Sequence, residues 1–335
     1  MRLEIISKAI LIIILHILPV STTTNTLVVN RTKKNQYVMQ KPCILLKRDI
    51  QEAQQVNTTA TGDSDFEWCC EIPTEIGSNF IFSMEPRWYP ASEEKVKSGV
   101  STFFAAGAII DWNSWIVHIP PDSDVVVQTS LPLWETKYVD ITGTRTVLVV
   151  RVEANDSVMT SSEETLSDEW FGAGNDLVNS KSQFMACSYN KLIINPAPDL
   201  PSAGIEGGAV TVSLGRNVNG ANKYTAENWV TQALSVKVGS TSRYDHLAYC
   251  MPPGMGSWLA YGYLGGRVTV YNDAWCIKVS AQMHELGHNF DFDHSGTPGD
   301  EYGDQSGLMG YSYREDDTNM CFNAPKSWFL GWYSN

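Results

Sequence analysis

The stretch His284-Glu285-Leu286-Gly287-His288-Asn289-Phe290-Asp291-Phe292-Asp293-His294 restricts what this chain can fold into more than any other. Histidines four apart on a helix stand one above the other on the same face, so both imidazoles can converge on one metal ion. Glu285 sits beside the first of them. From there its carboxylate can reach a metal-bound water without binding the metal, the place of a general base in zinc-dependent hydrolysis. His294 is too far along to share that face. The chain must therefore leave the helix and turn back near position 291, where His294 completes a three-histidine zinc site with one coordination position open to water. The plainer alternative is a buried helix with a few satisfied histidines, and the supporting residues described below weigh against it.

The rest of the chain bounds the setting. With 335 residues, 43% of them hydrophobic and 18% charged, it is globular in composition and long enough for two domains. The formal net charge is −13, most of it after residue 145, which argues against a nucleic-acid partner. Between Glu285 and Asp317 nine carboxylates face a single arginine. A solvated acidic rim is the simplest reading of that run. Asp300, Glu301 and Asp304, or Glu315, Asp316 and Asp317, could instead gather oxygen ligands for calcium (Ca2+), although no calcium-loop spacing is present.

The first residues, a short basic start and then Ala9 to Leu18, apolar except for His16, fit a secretory signal peptide over residues 1–22. No later segment is long and apolar enough to span a bilayer. Secretion accommodates the sequons at Asn30, Asn57 and Asn155 and predicts disulfides among seven cysteines, an odd number that leaves at least one thiol unpaired or bonded to another molecule. The simplest arrangement is two bridges among Cys187, Cys250, Cys276 and Cys321 and one among Cys43, Cys69 and Cys70. Residues 23–144 read as a β-rich region, with Phe80 to Met84 and Asp124 to Gln128 as strands and Gln54 to Asp65 as a polar loop. Residues 145–335 read as the zinc-bearing domain, of α+β class. In it Val147 to Val150 is a strand buried on both faces. Ser161 to Phe171 is a helix with a Ser161/Glu164 capping box and Gly172 as its stop. Lys191 to Asn195, Ala209 to Ser213, Leu247 to Met251 and Arg267 to Tyr271 are further strands; Thr225 to Val236, Ile277 to His288 and Asn323 to Leu330 are helices. The site helix carries Val279, Met283 and Leu286 on its buried side, and His246 and His118 are ordinary polar contacts.

The order His-Glu-x-x-His-x-x-Gly-x-x-His is the mark of the metzincin zinc endopeptidases, and this chain resembles them with Asp291 where they have glycine. That turn needs positive φ, which Asp tolerates better than most residues. Met309, in Gly307-Leu308-Met309-Gly310-Tyr311-Ser312, matches the methionine turn that passes beneath the three histidines in that family. Tyr311 resembles the tyrosine that some members use as a further ligand or an oxyanion donor. The flanking Val279-Ser280-Ala281-Gln282-Met283, Tyr302-Gly303-Asp304-Gln305-Ser306-Gly307 and Met320-Cys321-Phe322-Asn323-Ala324-Pro325 are similar to the gametolysin (autolysin) family, over roughly the last 190 residues. The resemblance implies a twisted, largely parallel sheet, a small irregular subdomain below the cleft, and one catalytic zinc (Zn2+). It also implies an edge strand, here Arg267, Val268, Thr269, Val270 and Tyr271, that pairs with extended substrate. It further implies a secreted enzyme acting as a monomer on extracellular-matrix or cell-wall (glyco)proteins, free of the membrane once its signal is cleaved. The N-terminal region then reads as a propeptide, with Cys43 either bridged to another cysteine, the favoured expectation, or blocking the zinc as a thiolate. The chain stops where relatives often continue, as in a compact or a shortened version. Two rivals stand: a metallohydrolase acting on another bond, and a zinc-binding but inactive extracellular matrix or binding protein.

Overall fold

The computed structural model describes residues 31–33, 35–49, 66–75, 77–90, 96–129, 140–310 and 320–333. The expected signal peptide over residues 1–22, the sequons at Asn30 and Asn57, the loop from Gln54 to Asp65, Tyr311, and the trio Glu315, Asp316 and Asp317 lie outside the described residues.

Short apolar stretches cut by turn residues make the first part of the chain a β-structure. Its strands are β1 (Arg31–Lys33), β2 (Gln36–Val38), β3 (Cys43–Asp49), β4 (Phe66–Pro73), β5 (Asn79–Met84), β6 (Thr102–Ala105), β7 (Ile109–Asp111), β8 (Ile116–His118) and β9 (Val125–Gln128). Antiparallel pairing of β3 with β4 and β6 and of β4 with β5, and parallel pairing of β5 with β8, gather Leu45, Trp68, Phe82, Phe103 and Val117 into a core of their own.

After residue 140 strands are interspersed with helices. The elements are β10 (Gly143–Glu153), α1 (Glu163–Phe171), α2 (Ser180–Cys187), β11 (Leu192–Pro196), β12 (Ala209–Ser213), α3 (Lys223–Val238), β13 (His246–Met251), β14 (Ala260–Leu264), β15 (Val268–Asn272), α4 (Val279–Asn289) and α5 (Ala324–Phe329). Strand β10 pairs in parallel with β11, β12 and β13, β13 pairs in parallel with β15, and β14 returns antiparallel to β15. The class is α+β, with a large mixed sheet and few helices. The period of two along β10 sends Val147 and Val149 toward α1, α2 and α4, and Leu148 and Val150 toward α3, so both faces of the sheet are buried.

Local signals shift by a residue or two from the sequence reading. Helix α1 is capped by Ser162, which accepts a hydrogen bond from the Thr165 amide, and not by Ser161; Gly172 ends it at φ 71°. Helix α2 and strand β14 were not anticipated. The placement of β14 corrects the substrate-strand assignment: β15, with Val268, Thr269, Val270 and Tyr271, lies between β13 and β14 and is internal, and the Arg267 guanidinium is tied to Thr241 at 2.8 Å. The edge of this sheet is β14. It is covered in turn by β3, antiparallel, with Tyr263 opposite Arg48 and Leu264 opposite Lys47.

Disulfides join Cys43 to Cys70, Cys187 to Cys321 and Cys250 to Cys276, and Cys69 is buried without a bridge. The thiolate alternative for Cys43 is thereby overturned, because its sulfur is already bonded to Cys70. Burial raises the Cys69 thiol far above its ordinary range, so it stays protonated and inert.

His246 is buried, with Nδ1 3.0 Å from the Asn289 side-chain oxygen. Burial outweighs that hydrogen bond and brings its pKa down to about 4. The ring is therefore neutral in the fold, while the unfolded chain takes up a proton below about pH 6.5. Stability from this group is fully present above that pH and is lost as pH falls toward 4, by roughly 3 kcal/mol at most. Urea unfolding across that window should show a steeper decline for the native chain than for His246→Gln. Parallel curves would contradict it.

Candidate active site

Each imidazole is aimed by a hydrogen bond at its Nδ1. In His284 that atom donates to the Leu308 carbonyl at 2.6 Å, in His288 to the Phe292 carbonyl at 2.7 Å, and in His294 to the Glu301 carboxylate at 2.5 Å. A carbonyl oxygen can only accept, so Nδ1 of the first two rings carries hydrogen and Nε2 is turned inward. The three ring centroids stand 4.9, 5.3 and 4.9 Å apart, and all three residues are buried. The turn that brings in His294 runs through Asp291 at φ 73°, the left-handed conformation expected there. Asp291 also pairs with Lys97 of the N-terminal region at 2.7 Å. Burial raises its carboxyl pKa, an effect that Lys97 partly offsets.

Met309 is fully buried, and its carbonyl accepts from the Ser295 amide at 2.7 Å. A side chain at Gly287 would put its Cβ 2.5 Å from the Met309 sulfur and 2.9 Å from Phe322, so both side chains would have to shift to admit it. Gly287→Ala should cost about 1–3 kcal/mol by overpacking, despite the better helix propensity of alanine. Chemical denaturation would measure it, and an unchanged or raised midpoint would count against the packing described. At Gly262 of β14 a Cβ would meet the Glu285 carbonyl at 2.8 Å, which shows how closely the site helix lies over the edge strand.

Glu285 is buried, and neither of its carboxylate oxygens has a hydrogen-bond partner among the described residues. Burial, and then the nearby charge of Asp49, raise its pKa well above the usual carboxylate range, a state suited to taking up a proton. His284 is held well below its ordinary value by burial and by its two imidazole neighbours, which keeps it a neutral donor.

A fourth residue completes the cluster, and the sequence did not single it out. Asp49, at the end of β3, is fully buried, with Oδ2 3.5 Å from His288 Nε2 and 3.7 Å from His294 Nε2. One donor atom from each of Asp49, His284, His288 and His294 lies within 4.8 Å of the others. Burial alone would raise the Asp49 pKa, but the two imidazoles outweigh it and hold the group ionised. Tyr302, whose hydroxyl is 3.2 Å from His294 Nε2, and Glu301 are likewise neighbours that the sequence did not reveal; Glu301 read there only as a calcium candidate.

These residues fit zinc. Ligands about 2.0–2.1 Å from a tetrahedral ion stand about 3.4 Å apart, close to the two Asp49 separations. The His288 Nε2 and both Asp49 oxygens are buried without hydrogen bonds, a costly arrangement that a cation would satisfy. Calcium finds no such support. Asp304 accepts from Asn323 and the Ser306 amide, Asp300 accepts from the Tyr302 amide, and Glu301 is engaged by His294.

A buried three-histidine cluster with an adjacent carboxylate on the same helix is a metallohydrolase centre. A family profile described as gametolysin peptidase M11 matches residues 146–335, and the chain belongs to that family of metallopeptidases. Among curated proteins it is similar to Autolysin of Chlamydomonas reinhardtii, 33% identical over 92 residues, which is 25% of this chain and 14% of that one. The chain thus matches only a small part of that relative's length. No solved structure matches.

Proposed function

We propose that the chain is a secreted zinc-dependent metalloendopeptidase that hydrolyses peptide bonds of extracellular-matrix or cell-wall (glyco)proteins. The observation that carries this reading is Glu285, buried beside the converging histidines with its carboxylate unengaged by the described protein. His284, His288 and His294 would hold the metal. A zinc ion there supplies Lewis acidity toward a carbonyl and lowers the pKa of water. Glu285 takes the proton of the attacking water and returns it to the leaving amine. Tyr311 is assigned the donor role toward the developing oxyanion. The free edge of β14, once exposed, would hold substrate in extended form beside the helix.

The domain reading goes with it: residues 1–22 as signal peptide, 23–144 as propeptide and 145–335 as the catalytic domain, released as a monomer. Three disulfides support an oxidising destination, and among the described residues no helix is long and apolar enough to cross a membrane. The similarity to an autolysin supports wall or matrix glycoproteins as the substrate class. A casein or gelatin zymogram of the processed protein tests the proposal. Clearing that a chelator abolishes and zinc restores is the expected result. Stoichiometric metal without any clearing would favour an inactive zinc-binding protein instead.

A further inference from the structure

We propose that Asp49 is an internal fourth ligand of the metal and that strand β3 occupies the substrate strand, so that the N-terminal region holds the enzyme latent. This rests on the metallopeptidase reading and adds to it the means of restraint.

Three observations converge on it. Asp49 Oδ2 stands 3.5 Å from His288 Nε2 and 3.7 Å from His294 Nε2, although the carboxylate comes from outside the catalytic sheet. A centre with four protein ligands has no position left for water or a scissile carbonyl, which is the difference between closed and catalytic zinc sites. The residues just before Asp49 then run antiparallel along β14, the edge that an extended peptide would need. Strand β3 thus mimics a bound peptide and ends on an acid in place of a scissile bond.

The strand is also fastened on both sides of that acid. Arg48 points to the face opposite Asp49, where its guanidinium lies 3.4 Å from the centre of the Tyr224 ring and 2.5 Å from Glu67. On the site loop, Asp291 takes Lys97 at 2.7 Å and Asp293 takes Lys47 at 3.4 Å. The aspartate standing where relatives have glycine therefore has a partner in the N-terminal region. The Asn228 side chain of α3 binds both the amide and the carbonyl of Ile81, holding β5 down as well.

The test uses the full chain loaded with cobalt(II), whose visible absorption reports its ligands, titrated with acetohydroxamate as a small metal-binding probe. The native chain should bind the probe at least tenfold more weakly than Asp49→Ala and Asp49→Asn, and the cobalt spectra of both variants should differ from the native one before the probe is added. The asparagine variant keeps the size of the side chain and guards against a folding artefact. Equal probe affinity in all three proteins, or superimposable spectra, would overturn the assignment. Caseinolysis after limited proteolysis is read separately. Spectra and probe binding that change as expected, in protein that never cuts casein, would sink the peptidase reading and leave the ligand assignment standing.

Discussion

Glu285→Gln is expected to lower kcat/KM on casein by about 10²–10⁴-fold, the usual worth of a positioned general base. That corresponds to about 3–5 kcal/mol of transition-state stabilisation. Glutamine preserves the size of the side chain in a fully buried position, and it cannot accept the proton of water. The metal should remain, because Glu285 is not among the four residues whose donor atoms gather into the cluster. Both proteins must be treated with the same limited proteolysis before assay, since the N-terminal region covers the edge strand in the intact chain. A variant that keeps its metal and loses less than tenfold in kcat/KM would remove Glu285 from the chemistry. A variant that loses the metal as well would place the carboxylate among its ligands.

The second large effect is on stability. The Cys187–Cys321 bridge closes a loop with a sequence separation of 134, for which chain entropy gives about 5 kcal/mol, and removal of native bridges commonly costs about 2–5 kcal/mol. Its position matters as much as its length. Cys321 accepts the Leu308 amide at 3.0 Å, and Leu308 in turn holds His284 through its carbonyl. Phe322, next along, packs at Gly287 on the site helix. Cys187→Ser with Cys321→Ser should therefore reduce unfolding free energy by about 2–5 kcal/mol in urea and weaken metal retention at the same time. A loss below about 1 kcal/mol would show that the segment around Leu308 and Phe322 is held by packing alone.

What the sequence revealed, and what it hid, follows from the range of the interactions. The spacing of His284, His288 and His294 is local, so the helix, the turn at Asp291 and the convergence of the rings could be anticipated from stereochemistry. The run Val147 to Val150 announced a doubly buried strand for the same reason. Strand β14 was hidden because Ala260-Tyr261-Gly262-Tyr263-Leu264 is buried throughout, with no β-branched residue and no alternation of polar and apolar positions to mark it. Which strand forms the edge depends on pairing, and β15 has the more strand-like sequence while lying inside. Asp49 was hidden more deeply still. It is one acid in an ordinary strand far from the histidines, and only the tertiary pairing of β3 with β14 carries it to them. Helix α2 depends on an Asn179/Ser182 capping box that precedes a segment with little apolar periodicity.

The central claim is that three imidazoles hold one metal ion, and X-ray absorption at the zinc edge of the purified full chain tests it most directly. About one zinc per chain, with three imidazole nitrogens and one oxygen at about 2.0–2.2 Å, is the expected result. A spectrum with sulfur neighbours, or a chain that retains no stoichiometric zinc after gel filtration, would contradict it.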